Sequence, residues 1–244
     1  MRYRNISRRL AMPRVTLDLP RPVQFRYLDT MHAALVTALR RAGVEEQQVI
    51  GATAAPWTFG ISGRSFAGGR VRVNSVTLST PDPALGAAML RITGADACVR
   101  SSNGDVLDLT GATCRPVPVP LHPDQERLAI GFASPFLVSE RGTKKAYVRS
   151  LAGLDLSAAF SAGLSRRLRR PVTLQVEQDR LSAVTEGAAP MLVRVRRSGT
   201  RDLILPALSA VLTLCGKPAD LRDAYLAGLG EKTRYGFGCP VALA

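Results

Sequence analysis

A glycine-rich stretch near the C-terminus contains the residues whose types and spacing most clearly suggest chemistry. Two Gly-apolar-Gly triplets, at 228–230 and 236–238, flank five residues that include Lys232 and Arg234. Glycine permits positive φ and has no β-carbon, so backbone amides in such a loop can approach an anion closely, while the two cations add full charges. The stretch is predicted to bind phosphate groups through Gly228, Gly230, Lys232, Arg234, Gly236 and Gly238.

Two common phosphate-binding loops do not fit this stretch. A nucleotide P-loop needs G-x-x-x-x-G-K-[ST] ahead of a helix, and the dinucleotide-binding G-x-G-x-x-G also opens a helix. Here the stretch follows a predicted helix and precedes an apolar segment, 239–244, that is predicted to be the last strand. The remaining alternative is a turn whose glycines only permit a tight connection.

The composition predicts a polyanionic partner. Lysine plus arginine number 33 against 19 acidic residues, for a net charge of +14, and only four of the cations are lysine. The planar fork of arginine suits bidentate phosphate contacts and stacking on bases. Because a GC-rich genome also raises arginine over lysine, the net charge carries more weight than the ratio. Nucleic acid is the simplest partner.

Cysteine and histidine usage indicates neither a metal nor another cofactor. The four cysteines form no C-x-x-C pair, and His32 and His122 lie near none of them in sequence, so a zinc site is not expected. No apolar run reaches the ~18 residues that cross a bilayer, and residues 1–14 lack the apolar core of a signal peptide. We expect a cytoplasmic protein with reduced thiols and no membrane partner.

The first half of the chain is predicted to follow the order β-α-β-β-α-β. The predicted strands are 15–27, interrupted by two prolines, 58–62, 70–79 and the pair 96–100 and 106–119, which is expected to turn about Asn103-Gly104. Helices are predicted at 30–42, capped by Asp29 or Thr30, and at 81–92. A glycine-rich loop, 63–69, carries Arg64. This order is typical of ferredoxin-like or RRM-like domains.

The same order recurs after a proline-rich link. Strands are predicted at 128–138, 172–181 and 191–197, the apolar run 203–214 is predicted as one strand or a paired strand region, and helices are predicted at 154–169 and 218–227. The fold class is therefore α+β, with tandem ferredoxin-like (RRM-like) halves and a C-terminal glycine-rich loop before the last strand. The predicted domains are 1–123, which begins with a basic arm, and 124–244, which carries the loop.

The spacing G-h-G-x5-G-h-G, where h is apolar, resembles the signature of the RAMP superfamily of CRISPR-associated RNA-binding proteins. Its repeat-processing endoribonucleases are the most similar group. The motif itself covers only the final ~30 residues. The order of predicted elements extends the resemblance to the whole chain, because it matches the tandem fold expected for the family. The segment around Ser134-Pro135 matches the family more loosely.

The resemblance implies an activity and its partners. It implies metal-independent cleavage of CRISPR repeat RNA by 2′-OH attack, which leaves a 2′,3′-cyclic phosphate, with the protein staying bound to the crRNA. Other CRISPR effector subunits are further candidate partners. The alternative is a non-catalytic RAMP subunit that binds guide RNA in an effector complex.

His32 is the candidate catalytic base. It is predicted in the first turn of the first helix, where the helix dipole disfavours the imidazolium. The resemblance supports it, because many family members carry a histidine in this helix or just after it. Tyr27 and Arg26, just before the helix, are candidates to orient or assist, and Arg64 to reach the phosphate. A packed histidine, or a site that works through arginines alone, are the alternatives. His122 lies in the proline-rich link and is the weaker choice.

Two clusters of arginine are predicted to bind RNA. One lies at the C-terminal end of the helix at 154–169 and contains Arg166, Arg167, Arg169 and Arg170; the other contains Arg194 and Arg196, on one face of a strand. For both clusters the alternative is a solvated surface, which at the helix end would also stabilise the dipole. Because aromatic residues are few, we expect a stem-loop held by charge rather than bases stacked on a sheet.

Overall fold

The computed structural model describes residues 14–65, 70–92, 98–100, 106–139, 146–179 and 190–243. The predicted basic arm, except Arg14, and the predicted turn at Asn103-Gly104 lie outside these ranges. Within them, no helix is long and apolar enough to span a membrane.

The first half contains one four-stranded antiparallel sheet with helices between its strands. Its elements are β1 (Arg14–Phe25), α1 (Leu28–Arg41), α2 (Glu46–Ile50), β2 (Thr58–Ser65), β3 (Val71–Ser79), α3 (Pro83–Met89), β4 (Cys98–Arg100), β5 (Val106–Asp108) and β6 (Thr113–Pro116). The sheet order is β2-β3-β1-β6, and β4 and β5 pair separately as a two-stranded insertion.

The second half repeats this topology. Its elements are β7 (Arg127–Ser134), α4 (Leu156–Leu168), β8 (Leu174–Gln178), β9 (Met191–Ser198), β10 (Arg201–Ala207), β11 (Leu212–Gly216), α5 (Pro218–Ala227) and β12 (Cys239–Ala242). The sheet order is β12-β7-β11-β8, and β9 and β10 form a separate hairpin. In both halves the order is fourth, first, third, second, as in a ferredoxin-like domain. The predicted fold class is confirmed, whereas the boundary at residue 123 stays a prediction.

Several element boundaries differ from the prediction. The prolines of β1 do not divide the strand, because a register shift between Asp18 and Val23 accommodates residues that cannot donate to the ladder. Helix α1 begins at Leu28 and has no side-chain cap, so the predicted caps Asp29 and Thr30 lie inside it. Tyr27, with extended backbone, takes the cap position instead.

The predicted loop 63–69 is also partly wrong. Strand β2 continues through Ser65, because its backbone stays paired with β3, and Arg64 lies opposite Arg72 in that ladder. Residues 66–69 and the side chain of Arg64 are outside the described part of the chain.

The two halves share a core. Leu137, Val195 and Phe237 of the second half pack in the same apolar cluster as α1 and β2 of the first half. Arg14 is buried, donates from Nη2 to the carbonyl of Pro240 at 2.7 Å, and lies 4.5 Å from the centroid of the Tyr225 ring. These contacts fix where α1 lies relative to the glycine-rich loop.

Candidate functional site

The glycine-rich loop lies against the first half of the protein. Residues 228–238 connect α5 to β12 and include a short 3-10 turn at Thr233–Tyr235. Gly236 has φ +80°, and a β-carbon there would come within 2.5 Å of Phe59 Cζ on β2. Only glycine allows this conformation and this close approach together.

The backbone amides of the loop are largely engaged by protein carbonyls. The amides of Leu229 and Glu231 donate to Gly238 and Leu137, and those of Gly236 and Gly238 donate to Thr233 and Pro135, at 2.8 to 3.0 Å. The glycines are buried. Gly228 and Gly236 pack closely against the first half, whereas Gly230 and Gly238 pack against backbone of the second half. The charged side chains of the loop, rather than these amides, are therefore the groups available to an anion.

His32 of α1 lies directly against this loop. Its ring stacks on Tyr235 with 4.4 Å between centroids and 22° between planes, and the Trp57 ring is 6.0 Å away on nearly parallel planes. His32 Nε2 is buried and has no hydrogen-bond partner among the described residues. The stacked rings of His32 and Tyr235 thus join the first helix of one half to the loop of the other.

Burial, and secondarily the charge of Arg234, lowers the pKa of His32 from 6.5 to about 4. The ring is therefore neutral at pH 7 and can accept a proton. The cause is not the helix N-terminus invoked from the sequence, because α1 begins earlier than predicted and His32 is its fifth residue.

Two cations of the loop accompany the stacked rings. Arg234 Nη1 donates to the carbonyls of Val49 and Gly51, at the end of α2, at 3.3 and 3.1 Å. Lys232 is exposed, and its Nζ is 5.8 Å from the centroid of the Tyr235 ring, which is itself 43% exposed. A neutral imidazole, an exposed aromatic face and two cations can together accept a proton, stack a base and hold a phosphate.

The arginines at the end of α4 divide into two groups. Arg167 is partly buried and donates to the carbonyls of Ala227 and Gly228 and to Thr233 Oγ1, at 2.8 to 3.0 Å, which ties the start of the loop to its 3-10 turn. Burial lowers its pKa to about 10, so it stays charged at pH 7.

The other three arginines of this cluster lie nearer the surface. Arg170 is paired with Asp220 and Asp223, both at 2.6 Å. Arg166 and Arg169 are exposed, so they are the members of the cluster best placed to meet an RNA.

The remaining predicted residues lie around the start of α1 and on the β9–β10 hairpin. Tyr27 is 1% exposed and its hydroxyl donates to Asp202 Oδ1 of β10 at 2.8 Å, which docks the hairpin on the first half. Burial and this contact raise the Tyr27 pKa. Arg194 Nε lies 3.9 Å from Asp202 Oδ2, and Arg196 is exposed. Arg26 is partly buried, with its guanidinium 5.9 Å from the Tyr27 ring centroid.

Sequence reasoning missed the aromatic residues of the site. Tyr235 stands inside the glycine motif, so its position in the loop was a usable signal. Trp57 precedes β2 by one residue, and nothing in its spacing indicates that it faces His32.

Comparison with known proteins assigns the family. The model of the C-terminal region of the CRISPR-associated protein Cas6 matches residues 118–241, which is half of the chain. The chain belongs to the Cas6 family of CRISPR-associated proteins. The predicted resemblance to RAMP-type repeat-processing proteins is confirmed at this level.

Solved structures agree with the Cas6 assignment in fold. A RAMP protein described as binding different RNA substrates superposes with a TM-score of 0.66 at 14% identity, over 95% of this chain and 99% of that one. A Cas6-related protein from Pyrococcus furiosus gives 0.67 at 15%, over 94% and 98%. A Cas6 product complex gives 0.52 at 21%, over 94% and 98%. No curated protein matches the sequence.

Proposed function

We propose that this Cas6-family protein is a metal-independent endoribonuclease that cleaves CRISPR repeat RNA beside His32. The observation that carries the proposal is the contact between His32 of the first half and Tyr235 of the glycine-rich loop, with Arg234 and Lys232 on the same loop. The net charge of +14 and the similar RAMP protein described as binding different RNA substrates support RNA as the substrate.

The chemistry needs one proton acceptor and positive charge at the phosphate. The neutral His32 ring accepts the proton of the ribose 2′-OH, and the 2′-oxygen attacks the adjacent phosphorus. The bond to the 5′-oxygen breaks and that oxygen takes up a proton from water, while His32 releases its proton to the solvent, so the products are a 2′,3′-cyclic phosphate and a 5′-hydroxyl. Arg234 and Lys232 stabilise the charge that develops on the phosphate oxygens.

RNA binding would itself change the pKa of the proposed proton acceptor, His32. A group with a pKa of about 4 is a weak proton acceptor at pH 7, because a base works best when its pKa lies near the operating pH. Bound phosphate would offset the charge of Arg234, one of the two causes of the lowered pKa, and so raise the pKa of His32 towards its ordinary value.

The repeat RNA would extend from this site across exposed cations. Arg166 and Arg169 at the end of α4, Arg196 on β9 and Lys232 on the loop are the exposed members of the predicted set. Such contacts position a stem-loop through its phosphates rather than read its sequence. The same contacts would keep the processed RNA bound after cleavage.

One observation favours the second candidate, a RAMP subunit that binds guide RNA without cutting it. The His32 ring lies beside two aromatic rings and its Nε2 has no hydrogen-bond partner among the described residues, as expected of a histidine that is only packed. Both candidate functions predict tight binding of the RNA, and only the endoribonuclease predicts a cleaved product.

Cleavage of a labelled repeat RNA in excess EDTA tests the proposal. We expect the wild-type protein to cut the RNA in EDTA, leaving a cyclic phosphate, and to leave uncut a substrate with 2′-deoxyribose at the scissile nucleotide. Tight binding of both RNAs without cleavage of either, with or without added Mg²⁺, would support the non-catalytic subunit. Cleavage that requires Mg²⁺ and tolerates the 2′-deoxy substrate would contradict the mechanism.

A further inference from the structure

A cleft of about 470 Å³ lies where the β9–β10 hairpin faces the start of α1 and the end of the ladder between β2 and β3. The proposed reaction does not use it. The hairpin contributes Met191, Leu192, Val193 and Ile204 to its walls, and the first half contributes Phe25, Leu28, Ile61 and Val71. Its size falls within the range of small-molecule sites.

The apolar side chains of the hairpin are unusually exposed. Met191, Leu192 and Ile204 have 53, 67 and 40% of their surface accessible. Large apolar groups that face water together usually mark a binding surface. An apolar body in the cleft would remove this surface from water.

The charges around the cleft indicate which chemical group a ligand carries beside its apolar part. Arg26, Arg70 and Arg194 line it, and none of the described residues that line it is acidic. Asp202 lies nearby and is engaged by Tyr27 and by Arg194. A ligand that fits is therefore flat or apolar in one part and anionic in another, as an unpaired nucleotide is.

The cleft adjoins the candidate catalytic site. Leu28, in its wall, precedes His32 by four residues on α1, so both lie on one face of the helix. Gly236, also in its wall, follows the Tyr235 that stacks on His32. A nucleotide whose phosphate lies at the loop can thus place a neighbouring base in the cleft.

We propose that the cleft binds the base of an unpaired nucleotide next to the scissile phosphate, with the arginines at its rim holding the adjoining phosphate. This inference rests on the proposed function and adds a site that sets which nucleotide is presented for cleavage. Single-stranded positions are where proteins distinguish RNA bases, because the edges of paired bases are poorly accessible in the A-form helix.

The test is a double-mutant cycle on binding with the full chain. Repeat RNAs made uncleavable by 2′-deoxyribose at the scissile position each carry one abasic nucleotide near that position. Leu192→Ser removes an exposed wall residue, and Leu203→Ser changes an exposed apolar residue of the same hairpin that is not among those lining the cleft. Met191→Ser is the second cleft variant.

We expect one abasic position to weaken wild-type binding by about tenfold, and Leu192→Ser to weaken binding of intact RNA by about five- to tenfold. When Leu192→Ser is combined with that abasic RNA, the two losses of affinity should not add. In Leu203→Ser, by contrast, the abasic nucleotide should weaken binding as much as it does in the wild-type protein. Additive losses in both cleft variants, or equal effects of Leu192→Ser and Leu203→Ser, would overturn the inference. A change from dimer to monomer in Leu192→Ser, measured on free protein by sedimentation, would also overturn it, since the surface would then join two copies.

The readout also separates this inference from the proposed function. Affinity for uncleavable RNA is measured without any turnover. Failure of the wild-type protein to cut intact RNA would contradict the proposed function, while the binding cycle would still show whether a base occupies the cleft.

Discussion

At the scale of single residues, environment decides what each side chain contributes. His32 and His122 are the two histidines of the chain, yet His32 is packed between halves while the side chain of His122 is exposed. Burial beside Arg234 keeps His32 neutral. Arg166 and Arg167 are sequence neighbours, but Arg166 is exposed whereas Arg167 is partly buried and donates hydrogen bonds to the start of the loop. Residue type alone could not tell the two histidines, or the two arginines, apart.

The lowered pKa of His32 predicts a pH-dependent stability. The unfolded chain binds a proton near pH 6.5 and the folded protein only near pH 4, so the stabilisation is complete above pH 6.5 and is lost as the pH falls towards 4. The loss should be on the order of 3 kcal/mol. His32→Gln cannot titrate, so the free energy of unfolding of wild type minus that of the variant should shrink by this amount between pH 7 and pH 4.

Urea unfolding at several pH values measures this difference. His122→Gln, a change at an exposed histidine, is the matched control and should track the wild-type curve. A constant difference between wild type and His32→Gln across that pH range would mean that His32 is not desolvated in the folded protein.

At the scale of elements, α4 holds the glycine-rich loop in place through Arg167. This guanidinium bonds the end of α5 and the 3-10 turn at once, and the turn carries the Tyr235 that stacks on His32. We therefore expect Arg167 to position the loop rather than to contact the RNA directly. Arg166, one residue earlier and exposed, is its natural comparison.

Arg167→Ala should destabilise the protein by about 2–4 kcal/mol, because two partly buried carbonyls and a hydroxyl lose a charged donor. Arg166→Ala should change stability by less than about 0.5 kcal/mol but reduce the salt dependence of RNA binding by about one unit of slope. Urea unfolding and salt titrations of binding check both. The reverse pattern, with Arg167→Ala stable and losing the salt slope, would make Arg167 an RNA ligand.

The elements themselves were largely predictable because local signals agree with the fold. The predicted bounds of α5 match the structure, since Pro218 starts the helix and Gly228 ends it with positive φ. The start of α1 was not predictable, because no side chain caps it. Nor was the continuity of β1, because pairing with β3 and β6 overrides the interruption that two prolines suggest.

At the scale of the whole molecule, the candidate site exists only because two similar halves share one core. His32 comes from the first half and Tyr235 from the second, about 200 residues apart in the sequence, so no local pattern could bring them together. The tandem order and the glycine motif could be read from the sequence. The packing of that motif onto β2, and hence its closeness to α1, required the structure. The net charge of +14 then favours a polyanionic ligand at this site.

The most direct test of His32 as the catalytic base compares single-turnover cleavage of repeat RNA by wild type, His32→Ala and His122→Ala, with affinity measured on the uncleavable RNA. We expect His32→Ala to lower the cleavage rate by about 10²- to 10⁴-fold, the usual contribution of a general base, with affinity within about threefold of wild type. His122→Ala should match wild type in both. Cleavage by His32→Ala at the wild-type rate would contradict the account and place catalysis on the arginines.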